Sequence, residues 1–104
     1  MNTETLMKWA TEKLGTSKCK RIKLCRRREN WMGLWDWDGT IKLNLYHIHS
    51  KTTMYRTLAH EWTHAQQMWR EYKKWERRVS YKENPLEIEA RKRERELWIG
   101  KMKS

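Results

Sequence analysis

This sequence predicts an α+β domain: an N-terminal helix, a three-stranded mostly antiparallel sheet, a long central helix and a C-terminal helix bearing glutamates. Three observations carry that expectation. Apolar residues recur at helical spacing near both ends of the chain, and they alternate strictly in a middle stretch. The stretches are separated by Gly15, Asp38-Gly39 and Asn84-Pro85, residues that stop or start regular structure. With no internal repeat and no linker, residues 1–104 read as a single domain.

Residues 3–14 place Leu6, Trp9, Ala10 and Leu14 on one face of an amphipathic helix. Gly15 ends it, because glycine closes a helix at no steric cost. From Lys20 to Arg26, Ile22 and Leu24 share a face among basic neighbours, as in a strand with one wet side. Trp31 to Trp37 is the next strand, with Trp31, Gly33, Trp35 and Trp37 on one parity. Asp38-Gly39 signals a two-residue type I′ turn, which needs positive φ at both positions. Thr40 to Tyr46 then returns with Ile41, Leu43 and Leu45 inward. Beyond His47-Ile48-His49-Ser50, one long helix is expected over residues 52–77, its apolar stripe formed by Leu58, Trp62, Ala65, Trp69 and Tyr72. Asn84 caps and Pro85 opens the last helix, whose seam is Leu86, Ala90 and Leu97.

Composition bounds the function. Eight Trp and four Tyr supply large surfaces to bury and argue against a disordered chain. No apolar run approaches the roughly 20 residues of a membrane span, and Met1-Asn2-Thr3-Glu4 lacks the order of a secretory signal. Cys19 and Cys25, six apart on a strand, would lie roughly 20 Å apart, beyond disulfide reach. Free thiols and no membrane partner suit a cytoplasm, that of a host if the protein is viral. The excess of 24 basic over 13 acidic residues, a net +11, favours anionic partners but is equally what solubility asks of a small domain.

The chemistry is concentrated in His60-Glu61-Trp62-Thr63-His64, an H-E-x-x-H run on the expected long helix. Histidines four apart stack on one helix face, close enough for both imidazoles to bind one metal ion. Taking Leu58 as zero and about 100° per residue, His60 and His64 fall at about 200° and about 240°, off the apolar stripe. They are therefore not simply core. Glu61, beside the ligands, can take a proton from a metal-bound water. A catalytic zinc needs a third protein ligand and an open position. Glu87 or Glu89, at the start of the last helix, offers a carboxylate if the two helices pack antiparallel. Glu87 is preferred because the small Ala90 beside it allows close helix approach. Solvated helix-start acids would need no metal, and His47 and His49, two apart on an extended segment, are alternative ligands.

The run His60-Glu61-x-x-His64 followed by Glu87-x-x-Ala90 resembles the zinc metallopeptidases whose third ligand is a glutamate on the next helix, the gluzincins. With Gln67 and Tyr81-x-x-Asn84-Pro85-x-Glu87-x-Glu89-Ala90 included, it looks like the very small metallopeptidase-like proteins of phages and bacteria. More loosely it is similar to SprT-like and ImmA/IrrE-type domains. The resemblance covers residues 20–98 and implies one zinc ion held by His60, His64 and Glu87, with Glu61 as general base. One position departs: many relatives carry an aspartate after the alanine to orient the first histidine, and here Arg91 stands there.

The expected function is thus zinc-dependent hydrolysis of peptide bonds in a protein or peptide substrate. The outer strand, Ile41 to Tyr46, would pair with an extended substrate. Tyr81, or behind it Tyr72, would supply a donor for the carbonyl oxygen, and Gln67 would contact substrate or water. Two readings compete. One is a nucleic-acid-binding module using Arg26-Arg27-Arg28, Arg77-Arg78, Lys82 and the Arg91–Arg95 run, with exposed Trp for stacking. The other is a catalytically silent, zinc-stabilised interaction protein, which His47 or His49 as a fourth ligand would favour.

Overall fold

The structure, a computed structural model, describes the backbone of residues 2–103 and the side chains of residues 2–96. Four helices surround a three-stranded mixed sheet, the α+β layout expected. Helix α1 (Thr3–Leu14) is capped by Asn2, whose Oδ1 accepts from the Thr5 amide at 2.8 Å, and it stops at Gly15 with φ of 86°. Its expected face is buried through Leu6, Ala10 and Leu14, while Trp9 packs on Tyr55 with ring centroids 4.7 Å apart.

Strands β1 (Arg21–Cys25), β2 (Gly33–Asp36) and β3 (Thr40–Asn44) are ordered β1-β3-β2. The β2–β3 pair is antiparallel, and β1 joins β3 in parallel. β3 is therefore the central strand, hydrogen-bonded on both sides, and it has no free edge to offer an extended peptide. The expectation that Ile41–Tyr46 forms the outer, substrate-pairing strand is corrected accordingly. The strand also ends early, at Asn44, because that side chain leaves the ladder's pattern. Its Oδ1 accepts from the amides of Arg27 and Tyr46, and its Nδ2 donates to the carbonyls of Arg27 and Trp31. Fully buried, Asn44 ties the loop between β1 and β2 to the strand both must meet.

The hairpin connection differs from the two-residue turn expected. Asp36 carbonyl accepts from the Gly39 amide at 3.0 Å, and Asp36 pairs with Thr40, leaving three residues in the loop. Only Gly39 takes positive φ, at 108°, so Asp38 is spared the strained conformation.

The expected single helix over 52–77 is two: α2 (Lys51–Gln66) and α3 (Trp69–Arg78), broken at Gln67–Met68. The apolar spacing continues through the break, yet tertiary hydrogen bonding overrides it. Gln67 takes extended φ and ψ and its side-chain amide is buried against the last helix. Leu58, Trp62 and Ala65 remain core residues, whereas Trp69, on the far side of the break, is half exposed. A 3-10 turn at Tyr81–Glu83 leads to α4 (Pro85–Lys103), where Asn84 Oδ1 accepts from the Leu86 amide as expected of a cap. Ala90 is fully buried in the α2–α4 contact, and Leu97 lies outside the described side chains.

Candidate metal centre

Helix α2 projects His60 and His64 toward α4, and α4 answers with Glu87 from its first turn. The Nε2 atoms of the two histidines converge on one oxygen, Glu87 Oε1, at 3.2 and 2.9 Å. One donor atom from each residue lies within 4.8 Å of the others, the spacing a single ion would span. Among the described residues this is the one such group of histidine, cysteine and carboxylate side chains. Ala90 makes the approach possible, since a larger residue would hold the helices apart. Glu87 is buried and Glu89 is exposed, its Oε1 accepting instead from Gln67 Nε2 at 2.9 Å. Neither His47 nor His49 belongs to the group. His47 Nε2 sits 2.7 Å from the Glu29 carbonyl, and His49 is exposed.

The outer nitrogens decide what the inner ones can do. His60 Nδ1 faces Glu94 Oε2 at 3.1 Å, and that carboxylate is also 3.4 Å from Arg56. His64 Nδ1 faces Gln67 Oε1 at 2.7 Å, while Gln67 Nε2 donates to the Leu86 carbonyl. Both partners accept, so each ring keeps a proton on Nδ1, and Nε2, which in His60 carries a proton toward Glu87, is the nitrogen that would be bared to face a metal ion. Two imidazole nitrogens and a carboxylate oxygen form a donor set suited to zinc.

Glu94 is the carboxylate that meets His60 Nδ1, whereas Arg91 donates to the Lys82 carbonyl and lies over the Tyr81 ring. Sequence reasoning missed Glu94, although a signal existed: it stands seven residues after Glu87, two turns along the same helix face. Gln67 is likewise a buried brace between His64 and α4 rather than a group facing solvent.

Electrostatics follow from this packing. Burial would depress the His60 pKa, but hydrogen bonds to Glu87 and Glu94 outweigh it and raise the imidazole to about 9. Burial likewise works to raise Glu87, and the two histidines with Tyr72 overcome it, holding the carboxyl far below its ordinary range. Tyr72 donates to Glu87 Oε2 at 2.5 Å. Glu61 is pushed upward chiefly by burial, and Glu87 adds to that, against the pull of both histidines. A carboxyl raised in this way is a better base than a solvated one.

These groups line a cleft of about 290 Å³ walled by β2, α2, α3 and the 3-10 turn. Gly33 forms its floor beside Glu61, where a β-carbon would stand 2.5 Å from Thr57 Cγ2 and 3.0 Å from Glu61 Cγ. The edge strand bordering the cleft is thus β2. Tyr81 also lines the cleft, and burial together with Glu87 raises its hydroxyl to about 12. Comparison with known proteins yields no match to any family model, curated protein or solved structure.

Proposed function

We propose that the protein is a zinc-dependent peptidase of minimal size, with His60, His64 and Glu87 as the metal ligands and Glu61 as general base. The observation that carries this reading is the convergence of both Nε2 atoms on Glu87 Oε1 in the lining of a cleft that Glu61 also lines. Zinc, when bound there, supplies the Lewis acidity that acidifies a water molecule and polarises a carbonyl. The chain's own residues do the rest. Glu61 accepts the water's proton as the peptide carbon is attacked, then passes it to the departing nitrogen, so the base is regenerated each turnover. Its raised pKa suits both halves of that cycle.

Substrate would run antiparallel or parallel to β2, whose outer edge borders the cleft, using main-chain hydrogen bonds that need no side-chain code. Tyr81, which holds its proton, donates to the carbonyl oxygen as charge develops there. Tyr72 is committed to Glu87 and orients it. A closed, purely structural site would enlist a fourth protein ligand, and the two remaining histidines stand outside the group.

Replacing Glu61 with Gln separates binding from chemistry. Zinc bound per chain should stay at one while cleavage of an unfolded protein substrate such as casein falls by roughly 10²–10⁴-fold. Undiminished cleavage by E61Q would remove Glu61 from the reaction, and a wild-type chain that takes up no zinc would end the proposal.

A further inference from the structure

The break at Gln67 has a consequence on the opposite side of α3. Released from the line of α2, this ten-residue helix buries none of its residues. At about 100° per residue, Arg70, Lys73, Lys74, Arg77 and Arg78 fall within one face about 140° wide, and neither Glu71 nor Glu76 lies inside it. Together with Trp69 these five cations line a shallow groove of about 390 Å³. Lys73 pairs with Glu76 at 3.0 Å, whereas Arg70, Lys74, Arg77 and Arg78 form no ion pair among the described residues. Five like charges on three turns repel one another, and Lys73 alone of them has an acidic partner among the described residues.

Trp69 adds a different kind of information. It is 50% exposed at the head of the basic face, with Lys73 Nζ 6.0 Å from its ring centre, and Met68 beside it is exposed as well. An acidic peptide would use the cations and leave the indole idle. A polymer that alternates anionic links with flat aromatic rings uses both.

We infer that the outer face of α3 binds single-stranded nucleic acid, its phosphates along Arg70, Lys74, Arg77 and Arg78 and a base stacked on Trp69. From Arg70 to Arg77 the helix rises about 10 Å, enough to follow two successive phosphates. The other basic groups are less suited. Arg91 and Arg93 are engaged with the Lys82 and Leu14 carbonyls, and Arg27 is paired with Glu29 at 2.8 Å. Lys73 borders both this groove and the cleft beside Glu61, and the binding would hold whether or not that cleft belongs to a peptidase.

The test is fluorescence anisotropy with a labelled 20-nucleotide oligothymidylate across a salt series. Wild-type protein should bind, with log K falling against log salt by about 0.7 per phosphate engaged. Changing Arg70, Lys74, Arg77 and Arg78 together to Gln should abolish binding at 150 mM salt and flatten that slope. Removing the same four charges elsewhere, at Lys8, Lys13, Arg26 and Arg28, should leave most of the affinity. Trp69→Ala should weaken binding roughly 5- to 150-fold with the salt slope unchanged, as loss of a stacked base predicts. All of these positions are exposed, Trp69 by half, and unchanged circular dichroism and thermal unfolding verify that the variants fold.

Equal losses from both quadruple variants would reduce the effect to net charge and overturn the inference. So would tighter binding to duplex DNA, to polyglutamate or to phosphatidylserine vesicles than to the oligonucleotide, or a Trp69→Ala variant that binds as wild type does.

Discussion

Glu94 supplies, behind His60, a carboxylate that position 91 does not. Arg91 removes the carboxylate from the position next to Ala90, and the chain supplies one a turn later, braced by Arg56 at 3.4 Å. Replacing Glu94 with Gln keeps the shape and removes the charge behind His60. Zinc affinity should drop about 10- to 100-fold, measured by competition with a chromogenic chelator. Affinity unchanged in E94Q would mean His60 is oriented by packing alone. The residues of the cluster itself were legible because helical spacing is local arithmetic: His60, Glu61 and His64 follow from 3.6 residues per turn. The small Ala90 marks where the helices come close, and it is Glu87 rather than Glu89 that lies with the two histidines. Glu94 and Gln67 were not legible in the same way. Their significance depends on which ring nitrogen each meets across an interface, and no spacing encodes that.

Among the elements, β2 and α2 meet more closely than their sequences announce. Gly33 shares its parity with three tryptophans, and it is where the strand's backbone rests on Thr57 and Glu61. Thr57 cannot readily turn aside, because its hydroxyl donates to the Thr53 carbonyl at 2.7 Å. Gly33→Ala should therefore shift β2 and Glu61 by several tenths of an ångström while sparing the ligands. Zinc content should persist as kcat/KM falls, by up to about 10²-fold. On the proposed peptidase reading, full activity in G33A would show that the strand can yield without moving Glu61. The helix boundaries carry a related lesson. Apolar spacing of 4, 3, 4, 3 from Leu58 to Tyr72 supports one long helix, and the break comes from Gln67 reaching to Leu86 and Glu89 on a distant element. Periodicity describes what a helix would bury, and it is silent when a polar side chain's tertiary partners end the helix.

For the molecule as a whole, the metal-free cluster is an acid–base assembly, and its titration should govern stability. His60 has a pKa of about 9 in the fold against an ordinary value of 6.5. A raised imidazole stabilises fully below pH 6.5, and that contribution is lost as pH climbs through 9. Glu87 is shifted the other way, so its contribution is present above 4.5 and is lost only in strong acid. Thermal melts in the presence of a chelator should therefore show a plateau between pH 4.5 and 6.5 and a decline toward pH 9. Zinc should reverse the trend, because His60 must shed its proton to bind: affinity should rise about tenfold per pH unit up to that same value. A melting temperature that climbs steadily to pH 9 without metal would contradict the arrangement of His60 between two carboxylates. The fold class was readable from alternation and turn residues, but strand order was not. Ile22 and Leu24 of β1 pattern equally well against either later strand, and the parallel pairing with β3 is decided by packing at long range.

That pairing dictates a sequence of events during folding. The central strand reaches its antiparallel neighbour through a three-residue loop, whereas β1 must wait for a partner some twenty positions downstream. Loop closure therefore favours the hairpin as nucleus and β1 as late arrival, so the sheet assembles against the direction of synthesis. Ile41→Val should slow refolding, and Ile22→Val should chiefly hasten unfolding. Stopped-flow chevrons with shifted unfolding arms for both variants would instead make docking of the helices the nucleating step.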